Sequence, residues 1–326
     1  MNSCSTGSMF FLKWPLIVIL FFSIQNSAQH CETCYHHRAD RSNRNDMRRD
    51  KMENFSGKTV VITGASAGIG EACAKAFAGA GAKLALVARG REKLTGVADQ
   101  LRKTTEVREF VMDVGNLDDC DRLLEETHKN FGNLNILINN AGMHERGDLE
   151  TIDARAVAQM VDINMRAPLY LSAASLPYLR QSESSAIVYV GSLAGLAPLP
   201  GAATYSATKA GMRAFGFAMA DEMRGSNVQI GIVSPGPVDT GFIMENIDNV
   251  EDIVFSQPMS TAEQVADAVL LVAGGHQTEV AMPSLSGKLA AVSYNFPSIR
   301  RLLRPVLYAI GRKNKRKYKK CETDKT

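Results

Sequence analysis

Thr59-Val60-Val61-Ile62-Thr63-Gly64-Ala65-Ser66-Ala67-Gly68-Ile69-Gly70 is the stretch that decides how this chain is read. Its first five residues are β-branched throughout, as in a strand buried on both faces. Gly64, Gly68 and Gly70 follow at once and lead without a break into the helical pattern of Ile69–Ala80. A loop in that position turns backbone N–H groups outward beyond the strand end, and the helix N-terminus adds a partial positive charge there. Taken alone, the glycines are also what a tight turn with positive φ requires. The strand before them and the helix after them favour a phosphate cradle.

Working outward, short β-branched runs alternate with longer helical patterns. Strands are expected at Thr59–Thr63, Lys83–Ala88, Val107–Asp113, Leu134–Asn139, Ala186–Gly191, Val228–Ser234 and Glu279–Met282. Helices are expected near Ile69–Ala80, Arg91–Lys103, Leu117–Phe131, Ala154–Leu179, Ala202–Arg224 and Ala262–Ala273. The last opens on Ser260-Thr261-Ala262-Glu263, which reads as a capping box made by Ser260 and Glu263. The alternation predicts an α/β fold: a single domain built on a doubly wound parallel sheet, with ligands at the carboxyl ends of the strands. The domain is placed at residues 53–283, after an N-terminal segment (1–52) and before a C-terminal extension (284–326) with a basic end.

The composition agrees with one sizeable core: 326 residues, 45% apolar and 22% charged. A net charge of +3 owes much to the two ends, so the central domain carries no basic stripe of the kind that binds nucleic acid. Arg312-Lys313-Asn314-Lys315-Arg316-Lys317 is expected to be a solvated tail. Six cysteines in a chain this long do not make a disulfide framework, and Cys73 and Cys120 fall within helical patterns as small apolar groups. Cys31 and Cys34 with His36 and His37 lack a second half-site for zinc, so no metal is expected.

Upstream of the domain, Trp14–Ile24 is an apolar run behind Lys13, with Ser27-Ala28 after it, in the manner of a secretory signal. It is short for a bilayer span. Gln29–Glu53 is polar, Arg-rich and aperiodic, a linker by composition. Three readings stand: a cleaved signal, an anchor that keeps the domain on the cytoplasmic side, or translation from Met47 or Met52. The expected location is the cytoplasm or the cytoplasmic face of a membrane, ahead of secretion.

Two further features bear on chemistry. The second strand ends Leu86-Val87-Ala88-Arg89, about twenty residues past the loop, where an NAD site usually carries an acidic residue for the ribose hydroxyl. Arg89 offers instead a fixed cationic fork suited to a ribose phosphate, which favours NADP; it is otherwise a solvated strand end. Tyr205 and Lys209 stand four apart on one helical face. A tyrosine working near neutral pH needs its pKa of about 10 lowered by roughly three units, or ~4 kcal/mol. A neighbouring ammonium and a cationic nicotinamide would both act in that direction. Such a spacing is also common by chance.

Thr63–Gly70, Asn139-Asn140-Ala141-Gly142, Asn164, Ser192, Tyr205-Ser206-Ala207-Thr208-Lys209 and Pro235-Gly236-Pro237-Val238-Asp239-Thr240 together resemble the short-chain dehydrogenase/reductase family, in order and in spacing, from about Ser56 to Met282. The resemblance implies a Rossmann fold. It also implies an oxidoreductase in which Tyr205 is the general acid–base, Ser192 orients and polarises the substrate oxygen, Lys209 binds the nicotinamide ribose and tunes Tyr205, and Asn164 holds a water of the proton relay. The implied cofactor surface comprises Gly64, Ser66, Gly68, Ile69 and Gly70, then Arg89, then Asp113 and Val114 at the adenine. It continues through Asn140, Ala141 and Gly142, Tyr205 and Lys209, Pro235 and Gly236, and ends on Val238 and Thr240 at the carboxamide and phosphates.

Substrate specificity is expected from the loops Met143–Asp148, Leu193–Gly201 and Gly241–Pro258, whose apolar content suits a lipophilic carbonyl or alcohol. The extension with Ile299-Arg300-Arg301-Leu302-Leu303-Arg304 resembles that of family members acting on steroids, retinoids or other lipids. It admits a membrane-surface helix, packing on the domain or a second subunit, and a homo-oligomer is expected. The rival reading is a catalytically silent dinucleotide-binding regulator or scaffold.

Overall fold

Every expected strand forms. In the computed structural model, which describes residues 54–323, β1 (Thr59–Thr63) leads into α1 (Gly68–Gly79), β2 (Lys83–Ala88) into α2 (Arg91–Leu101) and β3 (Val107–Val111) into α3 (Leu117–Phe131). After β4 (Ile136–Asn139) come α4 (Ala154–Val161), a π-helical turn (Asp162–Arg166) and α5 (Ala167–Leu179). β5 (Ser185–Val190) precedes α6 (Ala203–Glu222), and β6 (Val228–Pro235) precedes the short β7 (Val238–Asp239) and α7 (Gly241–Met244). β8 (Ser260–Thr261), α8 (Ala262–Ala273), β9 (Glu279–Met282), α9 (Ser284–Asn295) and α10 (Pro297–Thr323) complete the described chain.

Seven strands make one parallel sheet in the order β3-β2-β1-β4-β5-β6-β9. The order turns back at β1, with β2 on one side and β4 on the other, so a crevice opens beyond the carboxyl ends of these strands. Period-two alternation sends β1 into two cores. Val60 and Ile62 pack with Phe77, Leu94 and Val269 on one face, and Val61 with Leu123, Leu171 and Met212 on the other. All five β1 residues are buried. At ~1.5–3 kcal/mol for each large apolar side chain removed from water, burial on both faces holds this strand firmly in place beneath the glycine loop.

Three elements depart from expectation. The helix expected over Ala154–Leu179 is interrupted by the π turn. Pro168 has no N–H to give the Asn164 carbonyl four residues back, and the Asn164 side chain is drawn across to the backbone of Met143. The capping box is real but lies one residue later: Thr261 Oγ1 accepts from the Gln264 N–H at 3.2 Å, and Gln264 Oε1 accepts from the Thr261 N–H at 3.0 Å. Ser260 is instead buried in β8, where its N–H donates to the Pro237 carbonyl.

The third departure is the basic end, which is not a free tail. α10 packs along the segment between α7 and β8, where Ile247, Val250 and Phe255 form a small core of their own. Arg312 reaches Asp252 at 3.1 Å, Lys315 donates to the Val250 carbonyl at 2.6 Å, and Tyr308 donates to Glu251 at 3.0 Å. The opposite face of α10 leaves Leu302 and Val306 exposed. The described residues pack as one compact unit, so the extension belongs physically to the domain.

Cys73 and Cys120 are buried, as expected. Among the described residues no helix is long and apolar enough to cross a membrane, and no group of three or more His, Cys, Asp or Glu could hold a metal. The apolar run Trp14–Ile24, the candidate start sites Met47 and Met52, and the Cys31–His37 cluster lie outside the described residues.

Candidate active site

The glycine loop is built for close approach. Gly64 and Gly68 have φ of +69° and +57°, where a side chain would be strained. A Cβ on Gly70 would stand 2.1 Å from the Gly64 carbonyl oxygen, so only glycine lets α1 start there. Asn140 braces the loop from β4: its Nδ2 donates to the carbonyls of Thr63 (2.9 Å) and Gly64 (3.1 Å). Thr63 Oγ1 in turn accepts from the N–H groups of Asn140 and Ala141, each at 3.0 Å. No side chain caps the N-terminus of α1. Its first N–H groups therefore remain available to an anion, and the cradle fits a dinucleotide pyrophosphate.

A cavity of about 440 Å³ runs from this loop across the carboxyl end of the sheet. It touches Gly64, Gly68 and Ile69 at the loop, Asn140, Ala141 and Gly142 after β4, Pro235 at the end of β6, and Gly236, Val238 and Thr240 beyond it. Ser192, Tyr205 and Lys209 line it as well. Ser66, Gly70, Asp113, Val114, Asn164 and Arg89 lie outside its lining. Arg89 Nη1 stands 3.9 Å from Asp113 Oδ2, both side chains being well exposed, and Asp113 Oδ1 accepts from the Gly115 N–H.

Local chain geometry brings Ser192 and Tyr205 together. Ser192 caps the 3-10 turn Leu193–Gly195, its Oγ accepting from the Ala194 N–H at 3.1 Å. That turn presses on α6: a Cβ on Gly195 would meet the backbone of Lys209 at 2.9 Å. The Ser192 and Tyr205 hydroxyl-bearing side chains thus line one cavity. Lys209, one turn along α6, is buried and donates to the Val190 carbonyl at 2.9 Å. Its ammonium lies 5.8 Å from the Tyr205 ring centre. Asn164 is fully buried, and its side chain exchanges two 2.8 Å hydrogen bonds with the backbone of Met143.

Burial governs the electrostatics of these side chains. Burial raises the Tyr205 pKa above the ordinary tyrosine value, against the opposing pull of the Ser192 hydrogen bond and the Arg146 charge. Lys209 does not offset this burial: its own pKa is pushed down to about 8, and its ammonium is directed at Val190. The protein by itself therefore holds Tyr205 as the protonated phenol.

Several polar side chains in the cavity were not singled out in the sequence, His144, Arg146 and Lys93 among them. The loop after β4 lays His144 flat on Tyr205, with ring centres 4.1 Å apart and planes 10° apart. Burial lowers the His144 pKa to about 3, and its Nε2 is buried without a hydrogen-bond partner. Arg146 donates to the Phe242 carbonyl at 3.2 Å, with its guanidinium 5.6 Å from the Phe242 ring centre. Lys93, in the first turn of α2, lines the same cavity. All three loops expected to set specificity contribute to the cavity wall. His144 and Arg146 lie within one of them, but only folding reveals which of its residues turn inward.

Residues 58–251 match the family model described as short chain dehydrogenase. An uncharacterized oxidoreductase of Staphylococcus saprophyticus is 36% identical over 204 residues, 62% of this chain and 80% of that protein. The 11-beta-hydroxysteroid dehydrogenase-like 2 of Arabidopsis thaliana is 35% identical over 241 residues, 72% of this chain and 76% of that protein. Among solved structures, a short chain dehydrogenase from Burkholderia cenocepacia in complex with NADP superposes with a TM-score of 0.65 at 26% identity, covering 70% of this chain and 97% of that one. By fold and by sequence, this chain belongs to the short chain dehydrogenase family of oxidoreductases.

Proposed function

We propose that the protein interconverts a carbonyl compound and a secondary alcohol with NADP(H), and that Tyr205 exchanges the proton. The observation that carries this reading is the grouping of Tyr205, Ser192 and Lys209 in one cavity with an uncapped glycine-loop helix. When bound, the nicotinamide supplies or accepts the hydride. The chain's residues supply position and protons. Gly64, Gly68 and the α1 N-terminus hold the pyrophosphate; Asn140, Ala141 and Gly142 form the floor beside it. Pro235, Gly236, Val238 and Thr240 border the nicotinamide side. Ser66, Ile69 and Gly70 shape the loop, and Asp113 with Val114 flanks the adenine. Arg89, released from its exposed and therefore weak pairing with Asp113, takes the ribose phosphate, and Lys93 adds a second cation.

In reduction, the Ser192 hydroxyl and the Tyr205 phenol both point hydrogen-bonding groups at the substrate oxygen. The Tyr205 proton passes to that oxygen as it gains charge. A buried, protonated phenol is the donor form this step requires. The tyrosinate is then reprotonated from solvent through a water on the Asn164 carbonyl, which Pro168 leaves without its usual helical donor. Lys209, held by the Val190 carbonyl at the cavity wall, binds the nicotinamide ribose. In oxidation the same proton moves the other way.

The test is loss of nicotinamide absorbance when NADPH and purified protein meet a panel of aldehydes, ketones and lipid carbonyls. Turnover of some members, with none in the absence of protein, is expected. Tight NADPH binding without turnover across the panel would favour the silent regulator.

A further inference from the structure

Arg146 has no assigned part in the proton transfer, yet it stands inside the reaction cavity. It lies six residues past Asn140, on the loop that lays His144 over Tyr205. Its guanidinium is half-buried, donates to one backbone carbonyl and rests near one aromatic ring, both belonging to Phe242. A guanidinium carries five N–H donors, so most of its donor capacity is unspent. Among the described residues no carboxylate comes within ion-pair distance of it. Glu245 and Glu251 line the same cavity, but Glu251 is engaged by Tyr308 and neither reaches the arginine. Burial holds the Arg146 pKa below the usual guanidinium range, and no local carboxylate counters that effect.

A partly buried cation costs free energy unless something pairs with it. Elsewhere in this domain the half-buried Arg213 is paired, with Glu279 at 2.6 Å. At Arg146 the open side faces the substrate space, whose walls are otherwise largely apolar through Leu199, Ile253 and Val254. Phe242 lies 6.4 Å from the Tyr205 ring and 5.6 Å from the guanidinium carbon, so one side chain spans the gap between the proton donor and the cation.

We infer that Arg146 pairs with a carboxylate of the substrate, which makes the preferred substrate class an oxo acid, or the matching hydroxy acid, with an apolar body. Arg146 is then a specificity residue. Its planar fork grips the carboxylate in two parallel hydrogen bonds while the carbonyl rests on Tyr205 and Ser192. This rests on the carbonyl–alcohol reading above.

The probes are acetoacetate, levulinate and ketostearate, each beside its own methyl ester, with NADPH as reductant. For at least one of the three, the wild-type protein should show a higher kcat/KM for the acid than for the ester. In Arg146→Met, which keeps the apolar stem against Phe242, that acid-to-ester ratio should fall about ten- to a hundredfold, the usual worth of a charged hydrogen-bonded pair. Arg146→Lys, retaining charge without the fork, should fall between. An unchanged ratio in Arg146→Met, or esters preferred throughout, overturns the inference while leaving the oxidoreductase reading intact. If no carbonyl in the series or in the wider panel reacts, the oxidoreductase reading fails, and the carboxylate site is judged by calorimetry of the NADPH-loaded protein with decanoate. Binding that Arg146→Met abolishes sustains the site; no binding to wild type removes it.

Discussion

Arg89 and Asn164 show how differently two single residues can act at one site. Arg89 is exposed and holds Asp113 only at 3.9 Å, so its removal should hardly touch stability. Its proposed partner is the one phosphate that separates NADPH from NADH. Arg89→Ala should therefore weaken NADPH binding by about ten- to a hundredfold, the worth of a charge-assisted hydrogen bond, and leave NADH binding within roughly threefold. Calorimetry with each cofactor checks this, and equal losses for both would count against a role in phosphate recognition. Asn164 is the opposite case. Its amide satisfies both the N–H and the carbonyl of Met143, so Asn164→Ala should destabilise the fold by about 2 kcal/mol or more, read from the urea midpoint. A midpoint unchanged from wild type would show that this bracket does not support the loop carrying His144 and Arg146.

At the scale of elements, α10 and the Asp252–Ser256 turn are the parts whose contact most needs testing. A Cβ on Gly311 would stand 1.8 Å from the Asp252 carbonyl oxygen, so Gly311→Leu must push α10 away from the turn. The expected cost is about 1–3 kcal/mol. Because Ile253 and Val254 also line the cavity, KM for carbonyl substrates should rise more than kcat falls. Steady-state kinetics on the purified variant would show whether the wall moves. This packing was not legible in the sequence. A run such as Arg312–Lys317 looks the same whether water or Asp252 meets it, and only the tertiary fold brings an acidic turn 60 residues away beneath it. β1 was legible because burial on both faces favours a β-branched run. The π turn was not, since Pro168 lies near the start of α5, where a helix normally accepts proline. The cap of α8 was read one residue early because Ser260 and Thr261 are chemically alike; the β7–β8 bridge alone decides that Thr261 faces the helix.

For the molecule as a whole, burial of charged groups in the cavity ties stability to pH. Folded His144 takes its proton only near pH 3, against 6.5 for a free imidazole. On acidification the unfolded chain binds that proton first, so stability falls as pH drops from about 6.5 towards 3. His144→Phe, which keeps a ring against Tyr205, should flatten this part of the stability curve relative to wild type in urea titrations at successive pH values. A parallel fall in both proteins would show that other groups, such as Glu109 with its lowered pKa, carry the effect. The doubly wound sheet and its glycine loop were readable from alternation and spacing. The pKa balance at Tyr205 was not, because it depends on how deeply α6 is buried and on an arginine from a distant loop. The claim on which the rest depends is that Tyr205 moves the proton. Single-turnover reduction by Tyr205→Phe, with a carbonyl that wild type accepts and NADPH already bound, tests it most directly. The rate should fall about a thousandfold or more while NADPH affinity stays within a few-fold of wild type. Reduction at the wild-type rate would contradict the mechanism outright.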